Sequence, residues 1–182
     1  MKRAFCIIIS LLMLLSFSAC NEEDTTSESS VDLEYYANLG QIPECKYLLG
    51  TDVETLTQEL SEYAESEEGA ESLYDVTEGE ETVCITNGIY NFYYDKDSKE
   101  EGINYIVSFE KAYGFNIGEV IVSVKDAIGS TKYTEEEIND ENAFFLFAPV
   151  EGSVLKCEFE NNTIMFVFEN NALCATAIYS NT

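Results

Sequence analysis

The side chains that could carry covalent or acid–base chemistry are few in kind. Histidine is absent, and 35 Asp and Glu stand against 9 Lys and Arg. Without imidazole, proton transfer near neutral pH falls to a strongly shifted carboxyl, Lys, Cys or Tyr. Ser–His and Cys–His nucleophile pairs are excluded by composition. A Ser–Lys dyad or a carboxylate pair of the glycosidase kind is not excluded, yet no Lys, Asp or Glu sits in a glycine-rich or strand-end setting that singles it out. The sequence holds no phosphate loop and no dinucleotide fingerprint. Catalysis is therefore not expected, and no catalytic residue and no cofactor is assigned.

Metal and thiol chemistry fare little better. Asp95-Lys96-Asp97-Ser98-Lys99-Glu100-Glu101 begins like a calcium loop. However, Lys99 replaces an oxygen ligand, the sixth position is not glycine, and Ile106 stands where a bidentate Glu belongs. No two cysteines are spaced as CxxC, so a zinc site is not expected and no metal ligand is assigned. Cys45, Cys84, Cys157 and Cys174 lie in the part of the chain that reads as folded. Outside the cytoplasm an even number invites disulfides. Two-residue turns at Asn161-Asn162 and Asn170-Asn171 would put Cys157 opposite Phe166 on a core face and Cys174 opposite Val167 on the other face. Those two cannot meet through a sheet. Cys84 or Cys45 remain as partners for Cys174, and Cys157 reads as a small buried hydrophobe.

The remaining cysteine of interest is Cys20. Lys2 and Arg3 form a short positive segment, and Ala4–Phe17 an apolar run broken by Ser10 and Ser16. As a helix the run would reach roughly 21 Å, short of the ~30 Å hydrocarbon core, so it reads as a signal peptide rather than a membrane span. The residues that follow, Phe17-Ser18-Ala19-Cys20, resemble the lipobox of bacterial lipoproteins, with Phe17 where leucine is usual. That resemblance implies cleavage before Cys20, a diacylglyceryl thioether and further acylation (palmitate or a similar chain) on Cys20, and a lipid anchor on the extracytoplasmic side of the cell membrane. Two or more acyl chains hold a protein on a bilayer stably. Loss of Lys2 and Arg3 with the leader deepens the formal net charge from −26 to −28. A field of that sign repels nucleic acid, which is not expected as a partner.

The elements behind these residues read as one unit met twice. Residues 1–19 are the signal peptide, and 20–43 the lipidated cysteine with a flexible acidic tether. Residues 44–111 begin with a helix over about 51–65, opened by a Thr51–Glu54 capping box and carrying Val53, Leu56, Leu60, Tyr63 and Ala64 at helical spacing. Four antiparallel strands follow: Leu73–Thr77, Thr82–Thr86, Ile89–Tyr94 and Ile103–Phe109, with Asn87-Gly88 as a hairpin turn. Residues 112–182 restart the pattern. Gly118 opens a helical run with Val120, Ile121, Val124, Ala127 and Ile128 on one face and Gly129 as its stop. Strands are expected at Ala143–Ala148, Ser153–Glu160, Thr163–Glu169 and Ala172–Tyr179. Laying Asn87-Gly88 over Asn161-Asn162 stacks Ile85 on Phe159, Tyr90 on Ile164, Phe92 on Phe166 and Tyr94 on Phe168. The fold class is thus α+β, two tandem repeats of a helix and a four-stranded antiparallel meander.

Phe115-Asn116-Ile117-Gly118, with Val124 and Ile128-Gly129 ahead of a meander, resembles the helix–turn–strand units of the SmpA/OmlA and β-lactamase-inhibitor-protein-like folds. The likeness covers about residues 44–182. The second helix of each family unit has no evident counterpart, although Thr134-Glu135-Glu136-Glu137 could cap a short one. Those folds belong to small extracytoplasmic proteins, often lipoproteins, that act by binding other proteins. The residues themselves point the same way. Opposite the core, Tyr93 and Ile106 in the first unit and Met165, Val167 and Ile178 in the second make a sheet face more apolar than a solvated face should be. Such a patch fits a partner-binding surface. The sequence therefore reads as a membrane-anchored lipoprotein that binds a protein or cell-envelope component without catalysis. A small-ligand or carbohydrate binder, compatible with 12 Tyr, is the alternative, ahead of a histidine-free hydrolase.

Overall fold

A computed structural model describes residues 31–66, 73–129, 132–138 and 152–181. The fold is α+β. Among the described residues, three α-helices, α1 (Leu33–Leu39), α2 (Val53–Glu65) and α3 (Ile121–Ile128), accompany eight strands. The strands are β1 (Asp75–Glu78), β2 (Thr82–Thr86), β3 (Tyr90–Asp95), β4 (Tyr105–Ser108), β5 (Thr134–Glu137), β6 (Gly152–Glu158), β7 (Asn162–Glu169) and β8 (Ala172–Ser180). They form one antiparallel sheet in the order β1-β2-β3-β4-β8-β7-β6-β5. Two meanders therefore meet at their last strands, where Ile106 faces Ile178 and Val107 faces Ala177.

Helix caps decide where the chain enters this sheet. The Asp32 carboxylate accepts from the Tyr35 amide at 3.1 Å and opens α1, which Gly40 ends at φ 66°. The last part of the expected tether is thus folded: Leu33, Ala37 and Ile42 are core residues. Asp52, not Thr51, caps α2, accepting from the Thr55 amide at 2.8 Å. The Thr51 hydroxyl instead accepts from the Leu48 amide at 3.1 Å and closes the preceding turn. Val53, Leu56 and Leu60 then fall on one helical face, and burying each side chain contributes about 1.5–3 kcal/mol. Helix α3 buries Ile121, Val124 and Ile128, and Gly129 follows it at φ 86°.

All buried residues of the three helices join one cluster with the inner sheet face, which includes Ile85, Phe92, Ile106, Leu155, Cys157, Ile164, Phe166 and Ile178. The outer face forms a second cluster of Cys84, Tyr93, Tyr105, Val107, Val154, Met165, Val167, Ala175 and Ala177. One row crosses the seam on that face: Tyr93 lies edge-on to Tyr105 at 5.9 Å, and Tyr105 stacks on Tyr179 at 5.1 Å.

Two further sequence expectations change. The middle hairpins turn two residues from the expected register, so Cys84 faces Tyr93 and Cys157 faces Ile164. A shift of two leaves every side chain on its expected face. Thr134–Glu137 is not a helix cap but edge strand β5, paired to β6 and held by Lys125–Glu135 and Lys156–Glu136 ion pairs at 2.7 and 2.6 Å. Its run of Glu offers no apolar stripe to a helix, whereas pairing to β6 satisfies its backbone. Charged side chains also suit it to an exposed sheet edge. The strand expected at Ala143–Ala148 lies outside the described residues.

Candidate functional site

The side chains expected on one outer face divide between the two faces. Tyr93, Met165 and Val167 belong to the outer cluster, whereas Ile106 and Ile178 lie in the inner one. Ile178 is displaced by a bulge: Phe168 faces Leu173, but Val167 faces Ala175, which leaves Cys174 as the extra residue and inverts the strand beyond it. Ile106 is displaced by the irregular connection through the 3₁₀ turn Lys96–Glu101, which fixes no parity between β3 and β4. All five are at most 4% exposed. They are packing residues in this fold, and the accessible candidate site lies elsewhere. Cys20 lies outside the described residues.

That site is a groove of about 570 Å³ beside α2, within the roughly 300–1,000 Å³ typical of ligand sites. The helix contributes Glu59, Leu60, Glu62 and Tyr63; the segment after α1 contributes Glu44, Cys45, Lys46 and Tyr47; the β2–β3 turn contributes Asn87 and Tyr90. Helical spacing explains the first wall. Leu56 and Leu60 anchor α2 to the core, which turns Glu59 and Tyr63 along its flank. The second wall is pinned at several points. Gln41 and Leu48 pair as an isolated bridge, the Leu49 amide donates to Gly40 O at 2.8 Å, and the Tyr113 hydroxyl donates to Gln41 O at 2.9 Å. The Tyr113 amide donates to a Glu44 carboxylate oxygen at 3.3 Å. Tyr47 packs edge-on against Phe92 with ring centroids 5.4 Å apart.

Electrostatics give the groove its character. Lys46 Nζ lies 2.6 Å from Glu59 Oε2 and 5.1 Å from the Tyr47 ring centroid, and the Tyr47 hydroxyl donates to the same Glu59 oxygen at 3.0 Å. The hydrogen bonds from Lys46 and then Tyr47 hold the Glu59 carboxyl below its ordinary range. The same bond to Glu59 raises the Lys46 ammonium above its usual value. Burial, followed by the bond to Glu59, raises Tyr47, and burial pushes Tyr90 up to about 12. At the floor, burial pushes the Cys45 thiol up to about 11. Ser66 Oγ donates to Tyr63 O at 2.6 Å. A Ser–Lys dyad needs a lysine of lowered pKa beside its hydroxyl; Lys46 is shifted the opposite way. The arrangement can bind a cation against carboxylates and phenol rings.

The four cysteines of the described region are free thiols. Cys45 and Cys157 belong to the inner cluster, Cys84 and Cys174 to the outer one. Cys84 and Cys174 share a face but lie three strands apart, about 14 Å at the usual strand spacing and far beyond disulfide reach. Among the described residues no helix is long and apolar enough to cross a membrane.

No family model, curated protein or solved structure matches the chain. Helical spacing predicts Tyr63 on the apolar stripe of α2, but nothing in the sequence marks Glu44, Lys46, Tyr47, Glu59, Glu62 or Tyr90 as site residues. The available signal was Tyr63 itself, an aromatic that continues the Leu56–Leu60 stripe into the last turn and is 51% exposed there.

Proposed function

We propose that the protein is an acidic lipoprotein held on the extracytoplasmic face of a bacterial cell membrane by acylated Cys20, and that it acts there as a non-catalytic binding module through the α2 groove. The observation that carries the reading is the groove itself: tyrosine walls, an apolar Leu60–Cys45 floor, a carboxylate rim, and a lysine held in its charged form. The leader Lys2–Phe17 and the lipobox-like Phe17–Cys20 support the anchor. A polypeptide or another envelope component is the expected occupant, since an open, half-apolar groove suits an extended segment. The tyrosine lining also supports a second reading, a small-ligand or carbohydrate binder.

Gene duplication of a helix-plus-meander unit is part of the same proposal. Its support is that α2 and α3 each precede four antiparallel strands and that the two meanders adjoin through β4 and β8. Aligning the middle hairpins on their observed turns sets Ile85 on Cys157, Phe92 on Ile164 and Tyr94 on Phe166, all inward-facing.

Photo-crosslinking tests the groove. With a benzophenone amino acid at Tyr63 in intact cells, a discrete adduct is expected; the same probe at Tyr35, 56% exposed on α1, should give none. A polypeptide adduct supports the first reading, a small glycan or metabolite adduct the second, and no adduct refutes the groove. Cys20→Ala should release the protein from the membrane fraction; retention of an unprocessed form that still carries acyl label would refute Cys20 as the anchor.

A further inference from the structure

The groove already holds one cation, and its own chain supplies it. Lys46 places an ammonium 2.6 Å from Glu59 Oε2 and 5.1 Å from the Tyr47 ring centroid. This is the carboxylate-plus-aromatic seat that recognises a primary alkylammonium. Yet the Lys46 side chain is 72% exposed, so most of its stem lies in solvent. A volume of about 570 Å³ remains beside it, with the Leu60 side chain at its floor and the Glu44 and Glu62 carboxylates at its rim. One exposed lysine neither fills that space nor balances that charge.

We propose that Lys46 is a built-in stand-in, and that the groove receives a lysine side chain of a partner polypeptide, whose ammonium displaces Lys46 from Glu59 and Tyr47. The identification rests on the groove reading above and adds the chemistry of the occupant. Charge complementarity selects a cation: the groove presents three carboxylates against one lysine, on a chain of formal net charge −26. Shape selects a polypeptide over a free polyamine. A polyamine carries charge at every few atoms and would leave the Leu60 floor and the Tyr63 and Tyr90 rings uncovered, whereas residues flanking a lysine cover them. In this scheme Lys46 sets a threshold. An occupant binds only when it outbids an intramolecular competitor, which disfavours isolated cations and favours ligands with further contacts.

The test is a calorimetric and NMR titration of the folded protein with a blocked Ala-Lys-Ala-Lys-Ala peptide, with spermidine as the comparison. Lys46→Met should tighten peptide binding about fivefold or more by removing the competitor. Glu59→Gln and Tyr47→Leu should each weaken it about tenfold. Lys132→Met and Glu160→Gln, exposed and outside the groove, make the same charge changes and should move the affinity less than twofold. Chemical-shift changes should gather at Tyr47, Leu60 and Tyr63. The proposal fails if Lys46→Met is no tighter than Lys132→Met, if Glu59→Gln is no weaker than Glu160→Gln, if spermidine matches the peptide, or if no variant binds. Any of those results together with a Tyr63 crosslink would leave the groove in place with a different occupant. Loss of the crosslink as well would remove the groove reading itself.

Discussion

Gly102→Ala should be the most damaging small substitution in the turn that seats α2. Gly102 has φ 80° and ψ −157°, a region essentially reserved for glycine, where a side chain costs roughly 1–3 kcal/mol. Space is the larger problem. A Cβ there would stand 2.6 Å from Thr51 O and 2.7 Å from Gly50 O, both backbone atoms. The two segments are joined by hydrogen bonds from the Gly50 amide to Ile103 O at 2.7 Å and from the Ile103 amide to Thr51 O at 3.0 Å. Relieving the overlap means parting those segments, at about 1 kcal/mol for each bond lost. Reduced entropy of the unfolded chain returns about 0.5 kcal/mol. The expected loss is about 3–4 kcal/mol, or roughly 6–15 °C in Tm for a chain of this size. Gly50→Ala is the control: φ is also positive, at 79°, but nothing lies within 4 Å of its Cβ, so conformational strain of about 1–2 kcal/mol is all it should show. Urea and thermal unfolding by circular dichroism would measure both. A Gly102→Ala loss no greater than that of Gly50→Ala would refute the close-approach reasoning. Because the same turn leads into Asp52 and α2, the variant should also weaken any ligand of the groove at temperatures where it remains folded.

Thiol reactivity should rank by burial. Burial raises Cys45 and Cys84 to about 11 and Cys157 to about 12, so native protein at pH 8 should resist iodoacetamide at these three. Cys174, half-buried at the bulge with its Sγ donating to Val167 O at 3.3 Å, should label first; mass spectrometry showing Cys157 ahead of Cys174 would contradict the packing. The Lys46–Glu59 pair should follow its shifts with pH. Glu59, lowered, contributes above the ordinary carboxylate pKa and loses that contribution as pH falls through its depressed value; Lys46, raised, contributes below the ordinary lysine pKa and loses it as pH rises through its elevated value. NMR of ¹³C-methylated lysines should find Lys46 titrating above the ordinary lysine value, and falling back toward it in Glu59→Gln. Asn162→Ala should cost about 1 kcal/mol in urea unfolding, since Asn162 Nδ2 donates to Ala37 O at 2.6 Å and ties α1 to β7; an unchanged midpoint would contradict that tie.

Local pattern revealed α2, α3 and the inner face of the middle hairpins, but neither α1 and β5 nor the joins. The Leu56–Leu60 stripe places α2 within two residues of its observed start, and the alternation through Ile85, Phe92, Ile164 and Phe166 assigns the inner face even though both middle hairpins turn elsewhere. That tolerance has a cause, because a register slip of two conserves the face while a slip of one reverses it. Ile178 was lost to such a reversal: an alternating strand carries no mark of the bulge at Cys174. Ile106 was lost to a connection too irregular to propagate parity. The β4–β8 seam is a pairing between residues about seventy positions apart, beyond what turn chemistry encodes. Strand β5 was hidden because its Glu run is read as polar in any conformation.

The groove was illegible for the same reason as the seam. Its walls come from Glu44–Tyr47, Glu59–Tyr63 and Asn87–Tyr90, and none of these segments is unusual alone. Assembly depends on Tyr113, which stands at φ 53° and is 1% exposed. Its hydroxyl and amide hold Gln41 and Glu44 from across the core. A bulky residue in the left-handed region costs about 1–2 kcal/mol, and the two hydrogen bonds with the Tyr36 and Phe166 ring contacts offset that strain. The strained residue therefore serves the wall that carries Lys46 and Tyr47 as well as the core. Position adds a further constraint under the proposed anchoring. Ten residues, Asn21 to Ser30, separate Cys20 from Val31, so the two lie at most about 40 Å apart even when fully extended, and the groove begins only thirteen residues beyond Val31, at Glu44. A binding surface so near its anchor meets partners at the membrane surface, where a lysine-bearing segment must approach a strongly acidic protein and displace Lys46 to stay.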